Sequence, residues 1–472
     1  MPTSRITVVF ALAVTLTGCA VRKYRPAPIS PSASAASLRA RTLNDEGLRK
    51  YLTEVLHPSP AQWPLQRWSL PELTLAAFYY NPNLQLARAR MAEADAAVIT
   101  AGARPNPVVG GSIGGSTSPD SPWLGALHFD LPLEIAGKRG HRVTRAQRLA
   151  EAARWDLASA AWTVRSRVRS ALLQYVTVTQ RLQALQQEER VRAEQVRLLE
   201  QRLTVGLIPQ PEVDAARILH SQVLLALEQS QEQFATGKAA LAAAVGVPVS
   251  ALQDLALSWT DFDHPTRAES LPQSAIQDDV VLNRLDIRRA LVDYAAAEAD
   301  LQLEIAKQYP DINLGPGYNF EEAHHKFSLG FSVVLPVLNQ NQGPIAQAEA
   351  RREQAAARFL ATQAAGISAS EEALARYRAS LKELDQARSL QQQSASLEQA
   401  TQRALAAGES DRVALNGAQL QVAIAAGATL DALSRVHQAM GDLEDAVQRP
   451  LLPGDIQPLS SQSPELKPAP RK

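Results

Sequence analysis

Hydrophobic and polar residues alternate in two stretches of this chain and follow helical spacing through most of the rest. In the clearer stretch Phe327, Leu329, Phe331, Val333 and Leu335 are apolar, with Ser328, Gly330 and Ser332 between them. Just before it, Ile312, Leu314, Tyr318 and Phe320 alternate with Asn313, Gly315, Gly317 and Asn319. The other stretch repeats the pattern. Trp123, Leu127, Phe129 and Leu131 alternate with Ala126, His128 and Asp130, and Val109 and Ile113 share a face with Gly111 and Gly115. Successive side chains of a strand point to opposite faces, so each stretch predicts a hairpin with one apolar and one polar face. Pro105 and Pro310 fit the first residues of strands, where a missing donor is tolerated.

The two hairpins belong to an internal repeat. Ala92-Glu93-Ala94-Asp95 recurs as Ala297-Glu298-Ala299-Asp300, and each run is followed by its proline, its alternating stretch and a closing Leu131-Pro132 or Leu335-Pro336. A long helical pattern follows, over about 138–205 in one copy and 343–407 in the other, broken at Gly206 and Gly408. Shorter helices are expected over about 73–103 and 211–245 in the first copy, and 281–308 and 411–447 in the second. Each long helix spans about 100 Å at 1.5 Å per residue. Two short helices stacked end to end match that length, which is how a tall wall of paired helices is made. Leu182, Leu185, Val196, Leu199 and Leu203, and on the return helix Val213, Ala216, Val223 and Leu227, have coiled-coil spacing.

The resulting organisation is a signal over 1–18, an N-terminal tether and segment over 19–68, repeat one over 69–250, a linker or equatorial segment over 251–279, repeat two over 280–449 and a disordered tail over 450–472. The hairpins fall at about 105–132 and 310–336. The start reads as an export signal: Arg5 is followed by an apolar run, Ile6 to Leu16, too short to span a bilayer. It ends in Leu16-Thr17-Gly18-Cys19, which resembles a bacterial lipobox, and Cys19 is the single cysteine. Lipid on Cys19 would hold the mature N-terminus on a membrane, and by the same resemblance Ala20 after it directs the chain to the outer membrane. No further segment reads as a transmembrane helix, so any other membrane contact is β.

Four strands cannot close a transmembrane barrel, because open edges in hydrocarbon leave backbone groups unsatisfied. Several chains must pool their hairpins. Two chains supply about eight strands, a barrel filled by its own side chains, and three supply about twelve, enough for a duct. With 48 basic and 48 acidic residues the net charge is zero, giving no electrostatic case for nucleic acid. No Walker A pattern, H-E-x-x-H, C-x-x-C or G-x-S-x-G occurs, so no enzyme, cofactor or resident metal is expected.

This chain resembles the TolC-like outer-membrane factors over roughly 68–448. The resemblance rests on the duplicated hairpin and helix unit, the paired proline starts and the Gly206 and Gly408 breaks. The runs from Leu131 to Arg139 and from Leu335 to Gly343 are similar to the subgroup serving cobalt-zinc-cadmium pumps. The resemblance implies a homotrimer: a 12-stranded β-barrel in outer-membrane lipid continuing into a periplasmic α-helical barrel. It also implies a periplasmic adaptor and an inner-membrane RND pump as partners, with the duct itself passive. Gly206 and Gly408 would mark the periplasmic tips that meet the adaptor. Asp411 and Arg412 are candidates for a gate, Asp411 equally for a helix N-terminus. Heavy-metal cations are the expected cargo, with organic drugs or a secreted protein as alternatives, and a lipid-anchored periplasmic coiled-coil scaffold or adaptor is the alternative of another class. His324-His325 with Glu321 and Glu322 reads as a solvated extracellular turn before it reads as a metal site, His220 as a packed or interfacial residue, and Trp123, Tyr318, Phe320 and Phe327 as interfacial aromatics.

Overall fold

The computed structural model describes residues 22–55, 63–117, 123–253, 255–267, 276, 280–321 and 324–451. The expected signal with Cys19, Glu322, and the tail beyond 451 lie outside the described residues. The chain divides into two units, Met1–Arg41 and Thr42–Lys472. The first holds α1 (Pro31–Arg39), an exposed helix whose N-cap Ser30 accepts from the Ala33 amide at 3.4 Å.

The second unit starts inside the stretch expected to be a tether. Leu48, Tyr51 and Leu52 of α2 (Glu46–Val55) form one apolar stripe at i, i+3, i+4 spacing and are buried, as is Leu43 before them. They pack on α3 (Leu70–Tyr80), a helix apolar nearly all round and therefore buried. β1 (Arg67–Trp68) enters α3 and pairs in parallel with β4 (Ala256–Leu257).

The single helix expected over 73–103 is two. Asn81 caps the end of α3 and the start of α4 (Pro82–Gly102): its side chain accepts from the Asn83 amide and donates to the Ala244 carbonyl, both at 3.0 Å. Pro82 lacks the amide that would continue the helix. The second copy breaks at the corresponding place: 280–283 are helical, Arg284 is extended, and α7 (Leu285–Ala306) starts after it, so the helix expected over 281–308 is interrupted too.

α5 (Lys138–Thr204) runs for 67 residues and α8 (Gln342–Ala406) for 65. Their return helices, α6 (Gln210–Val245) and α9 (Arg412–Val447), have 36 residues each. α5 packs along α4 and α6 of its own copy and along α7 and α9 of the other, whereas α8 packs along α7 and α9. In the α5–α6 pair the fully packed positions are Leu185, Val191 and Leu198 with Val213, Ala216 and Val223; Val196, Leu199 and Leu203 are half-buried. By length and composition α9 is apolar enough to cross a membrane, a feature not foreseen from the sequence. It packs instead along α5 and α8, with Glu444 buried on it.

The main core is a band around the middle of the long helices. Leu157, Leu172, Tyr377, Leu384, Val436 and Leu443 meet Trp68, Leu73, Phe78, Leu252 and Phe262 there. Burying this much apolar surface at one height is the dominant stabilising term. Inside the band Glu444 accepts from Arg165 and Arg169 at 3.0 and 2.9 Å, all three being buried.

Candidate functional site: the joined hairpins and the helix tips

The hairpins are β2 (Val108–Gly115) with β3 (Trp123–Leu133), and β5 (Ile312–Glu321) with β6 (His324–Val333). They join through an antiparallel β3–β5 contact into one sheet of order β2-β3-β5-β6. The register aligns the alternation of all four strands. Gly111, Leu127, Tyr318 and Phe327 form one row, and Leu131, Leu314 and Phe331 form another on the same face. The opposite face carries Gly110, His128, Gly317 and Ser328, then Ser112, Ala126, Asn319 and Lys326. A single sheet thus has one greasy and one polar side, the division a lipid-facing and water-facing wall needs. A Cβ at Gly110 would stand 2.4 Å from the His128 ring across the ladder, so any larger residue there would have to swing that exposed ring aside.

Strands of 10 or 11 residues, as β3, β5 and β6 are, match the length that crosses a tilted bilayer. The apolar face is open, with Ile113, Trp123, Phe327, Leu329 and Phe331 all exposed. So are the two sheet edges, since β2 and β6 each pair on one side only. Tyr318 packs on Phe327 with ring centres 5.4 Å apart, and its hydroxyl meets His325 Nδ1 at 2.7 Å. His325 is further occupied by the Phe320 ring, while His324 faces Glu321 across the hairpin. Among the described residues no three His, Cys, Asp or Glu side chains converge as a metal site would require.

At the opposite ends of α5 and α8 the two tips share one cap. Gly206 and Gly408 have φ of 72° and 78°, where glycine carries no Cβ penalty. The Gly206 and Leu207 amides donate to the Leu203 and Arg202 carbonyls, and the Gly408 and Glu409 amides to those of Leu405 and Ala404. Both are Schellman motifs. Asp411 is the N-cap of α9: its carboxylate accepts from the Ala414 amide at 2.8 Å and pairs with Arg202. The amide bond and Arg202 together hold it below the usual aspartate range. Arg412 lies near Glu194, which is itself held low chiefly by Arg197. His220 bridges α6 to α5 through Glu189 at 2.9 Å.

Several structural residues escaped sequence reasoning. At the foot of the sheet Lys138 Nζ meets Asp311 at 2.7 Å, tying the start of α5 to the start of β5. Arg202 and Asp411 stand 209 positions apart in the chain, and Lys138 and Asp311 stand 173 apart. The one visible hint is that Lys138 follows the glycine that opens α5, whereas Gln342 holds the same place in α8.

The sequence profile of the Outer membrane efflux protein family matches residues 73–247 and 277–447. The chain is 24% identical over 289 residues to the cobalt-zinc-cadmium resistance protein CzcC of Cupriavidus metallidurans, a match covering 60% of this chain and 66% of that relative. It is 26% identical over 325 residues to the pyoverdine export outer membrane protein OpmQ of Pseudomonas putida, covering 62% of this chain and 68% of the relative. Among solved structures its fold is similar to the outer membrane protein VceC of Vibrio cholerae, with a TM-score of 0.65, 20% identity, and coverage of 80% of this chain and 95% of that one. Both family matches enclose a hairpin and its long helix, and by them this chain belongs to the outer membrane efflux protein family.

Proposed function

We propose that this outer-membrane efflux protein is a passive exit duct built from three chains, their sheets forming a 12-stranded barrel in the outer membrane and their helices a periplasmic tunnel. One observation carries the reading: a four-stranded sheet, greasy on one face and open at both edges, continues directly into helices of 67 and 65 residues. Open edges in hydrocarbon cost several kcal/mol per unsatisfied group, so the sheet must be completed by other chains. In this reading the duct does no covalent chemistry and needs no cofactor. The tips at Gly206 and Gly408 meet a periplasmic adaptor that links the duct to an inner-membrane RND pump, and the constriction lies at the tip bearing Asp411 and Arg412. Cys19 carries the lipid that anchors the N-terminus.

Heavy-metal cations are the proposed cargo, supported by the likeness to CzcC and by the two segments after the hairpins. The likeness to OpmQ favours an organic cargo as the second reading. Native mass measurement and planar-bilayer recording on detergent-extracted protein test the duct: a trimer with stepwise conductance is expected, and a monomer that opens no pores rejects it. Deleting the gene tests the cargo. Lower tolerance to zinc, cobalt or cadmium is expected; unchanged metal tolerance with lost tolerance to organic compounds rejects the metal assignment. Palmitate labelling that persists in Cys19→Ala rejects the lipid site.

A further inference from the structure

The four long strands carry little charge. Across β2, β3, β5 and β6 the acidic and basic side chains are Asp130, Glu321 and Lys326. Glu321 and Lys326 pair at 3.0 Å beside the β5–β6 turn and cancel. Among the described residues Asp130 has no hydrogen-bond or ion-pair partner. The net charge of the strands is therefore that of Asp130.

Asp130 lies on the polar face two positions from His128, close to the end of β3 that leads into α5. Its neighbours on that face are small or apolar. Val108 stands opposite it on β2, and on its other side the β3–β5 ladder steps from the His128–Gly317 pair to the Leu131–Leu314 pair, past Gly315 and its partner Gly330. His128 is flanked by Gly110 and Gly317, and its exposed ring lies over Gly110. These glycines raise no side chain that could cover the carboxylate or pair with it. The cations nearest in the chain, Arg104 and Arg139, lie beyond the strand ends, and Arg139 donates to the Gly102 carbonyl at 2.7 Å. The second copy has no counterpart: counted back from Leu335-Pro336, Val334 and Ser332 hold the places of Asp130 and His128 before Leu131-Pro132.

We propose that Asp130 is the charge filter of the barrel: one carboxylate per chain, set near the barrel's periplasmic mouth on the water-facing wall, which enriches cations there and turns anions away. The inference rests on the duct reading above and adds the residue that sets its charge preference. Three chains bring three carboxylates to one height, all from first-copy hairpins. Each acts across open water, because nothing beside it compensates its charge. A divalent cation feels twice the attraction of a monovalent one at the same distance. Among the described residues no third His, Cys, Asp or Glu joins Asp130 and His128, so a passing cation is drawn in without being held, as conduction requires.

Full-length protein in detergent tests this with a thiol placed beside the carboxylate. His128→Cys is made alone, with Asp130→Asn and with Asp130→Glu, and the unaltered chain controls for Cys19. Each is reacted with cationic trimethylammonioethyl and anionic sulfonatoethyl methanethiosulfonate, and the two rates are compared as a ratio. Residues two apart on a strand are separated by about 7 Å. At that distance one charge in water should make the cation-to-anion ratio about fivefold higher with Asp130 than with Asn at 10 mM salt, and nearly equal at 1 M, where the screening length is about 3 Å. Asp130→Glu should keep most of the preference, which a merely structural role of the side chain would not predict. Native mass measurement on the same samples separates the two levels of the inference. An intact oligomer with equal ratios for Asp130 and Asn, or with a thiol at 128 that neither reagent reaches, overturns the filter and leaves the duct standing. A chain that stays monomeric overturns the duct and the filter together.

Discussion

The two tips have the same cap and different sequels. After Gly206 the chain enters α6 through Pro209, an N-cap with no side-chain acceptor. After Gly408 it enters α9 through Asp411, which caps its own helix and reaches Arg202 on the other copy. The far ends of the return helices differ in the same sense, with Ala242 buried in α6 where α9 buries Glu444. Duplication kept the backbone, including both caps and the 36-residue return helices, and diverged in charge. The acids lie on the second copy's return helix and face the first copy's arginines, so one chain is stitched together by the ways its halves differ.

The largest break in this comparison comes from Glu444→Ala, which gives α9 the residue α6 has. Arg165 and Arg169 would keep their burial and lose their shared carboxylate, a loss of about 3–5 kcal/mol. Thermal unfolding of the purified protein followed by circular dichroism measures it, and a change below about 1 kcal/mol would show that the arginines find other partners. Next come Gly206→Ala and Gly408→Ala. Each forces a Cβ into a positive-φ cap at about 1 kcal/mol, and the two should match. Hydrogen exchange at the Leu207 and Glu409 amides reads them separately; a large difference would mean that the tips are not equivalent in backbone.

A smaller effect is expected from acid at His437, which has Ala235 as its counterpart in α6. Burial pushes its pKa down, against the opposing influence of its Nε2 contact with the Phe262 carbonyl. A histidine with a lowered folded pKa takes up more protons when unfolded, so stability falls as pH drops below about 6.5. His437→Gln should flatten unfolding temperature between pH 7 and 5.5, and an unchanged slope would exclude this residue as the source. The smallest effect is that of Asp411→Asn, which keeps a capping oxygen and loses the ion pair with Arg202. The pair is exposed, so a few tenths of a kcal/mol are expected. Because the folded pKa of Asp411 is lowered, its contribution is present above the ordinary aspartate value of about 3.9 and fades as pH falls through the folded value. Tip amide exchange in the unaltered chain below that pH should approach that of the variant.

Local rules carried the sequence reading as far as the elements themselves. Period-2 alternation located the strands, and glycine at the helix breaks located the tips. Asn81-Pro82 was visible as a helix stop yet was passed over within a continuous apolar pattern. The stripe of Leu48, Tyr51 and Leu52 was likewise present, hidden by the Pro- and Ser-rich run before it. What the sequence did not contain was the meeting of the copies. The β3–β5 junction and the Arg165–Glu444 pair, 279 positions apart, arise only when the two halves fold against each other. The candidate site was legible at Gly206, Gly408 and Asp411 as positions; that Asp411 is held by Arg202 was not.

The first copy's long helix is two residues longer than the second's, 67 against 65, while the return helices are equal. At 1.5 Å per residue the difference is about 3 Å of reach. In a ring assembled from this chain, successive tips would therefore stop at alternating heights and give the end of the tunnel a scalloped rim. A partner pressing against that rim would meet high points half as numerous as the tips. Its natural stoichiometry would follow the number of chains, and the low points would serve as sockets that fix its rotation.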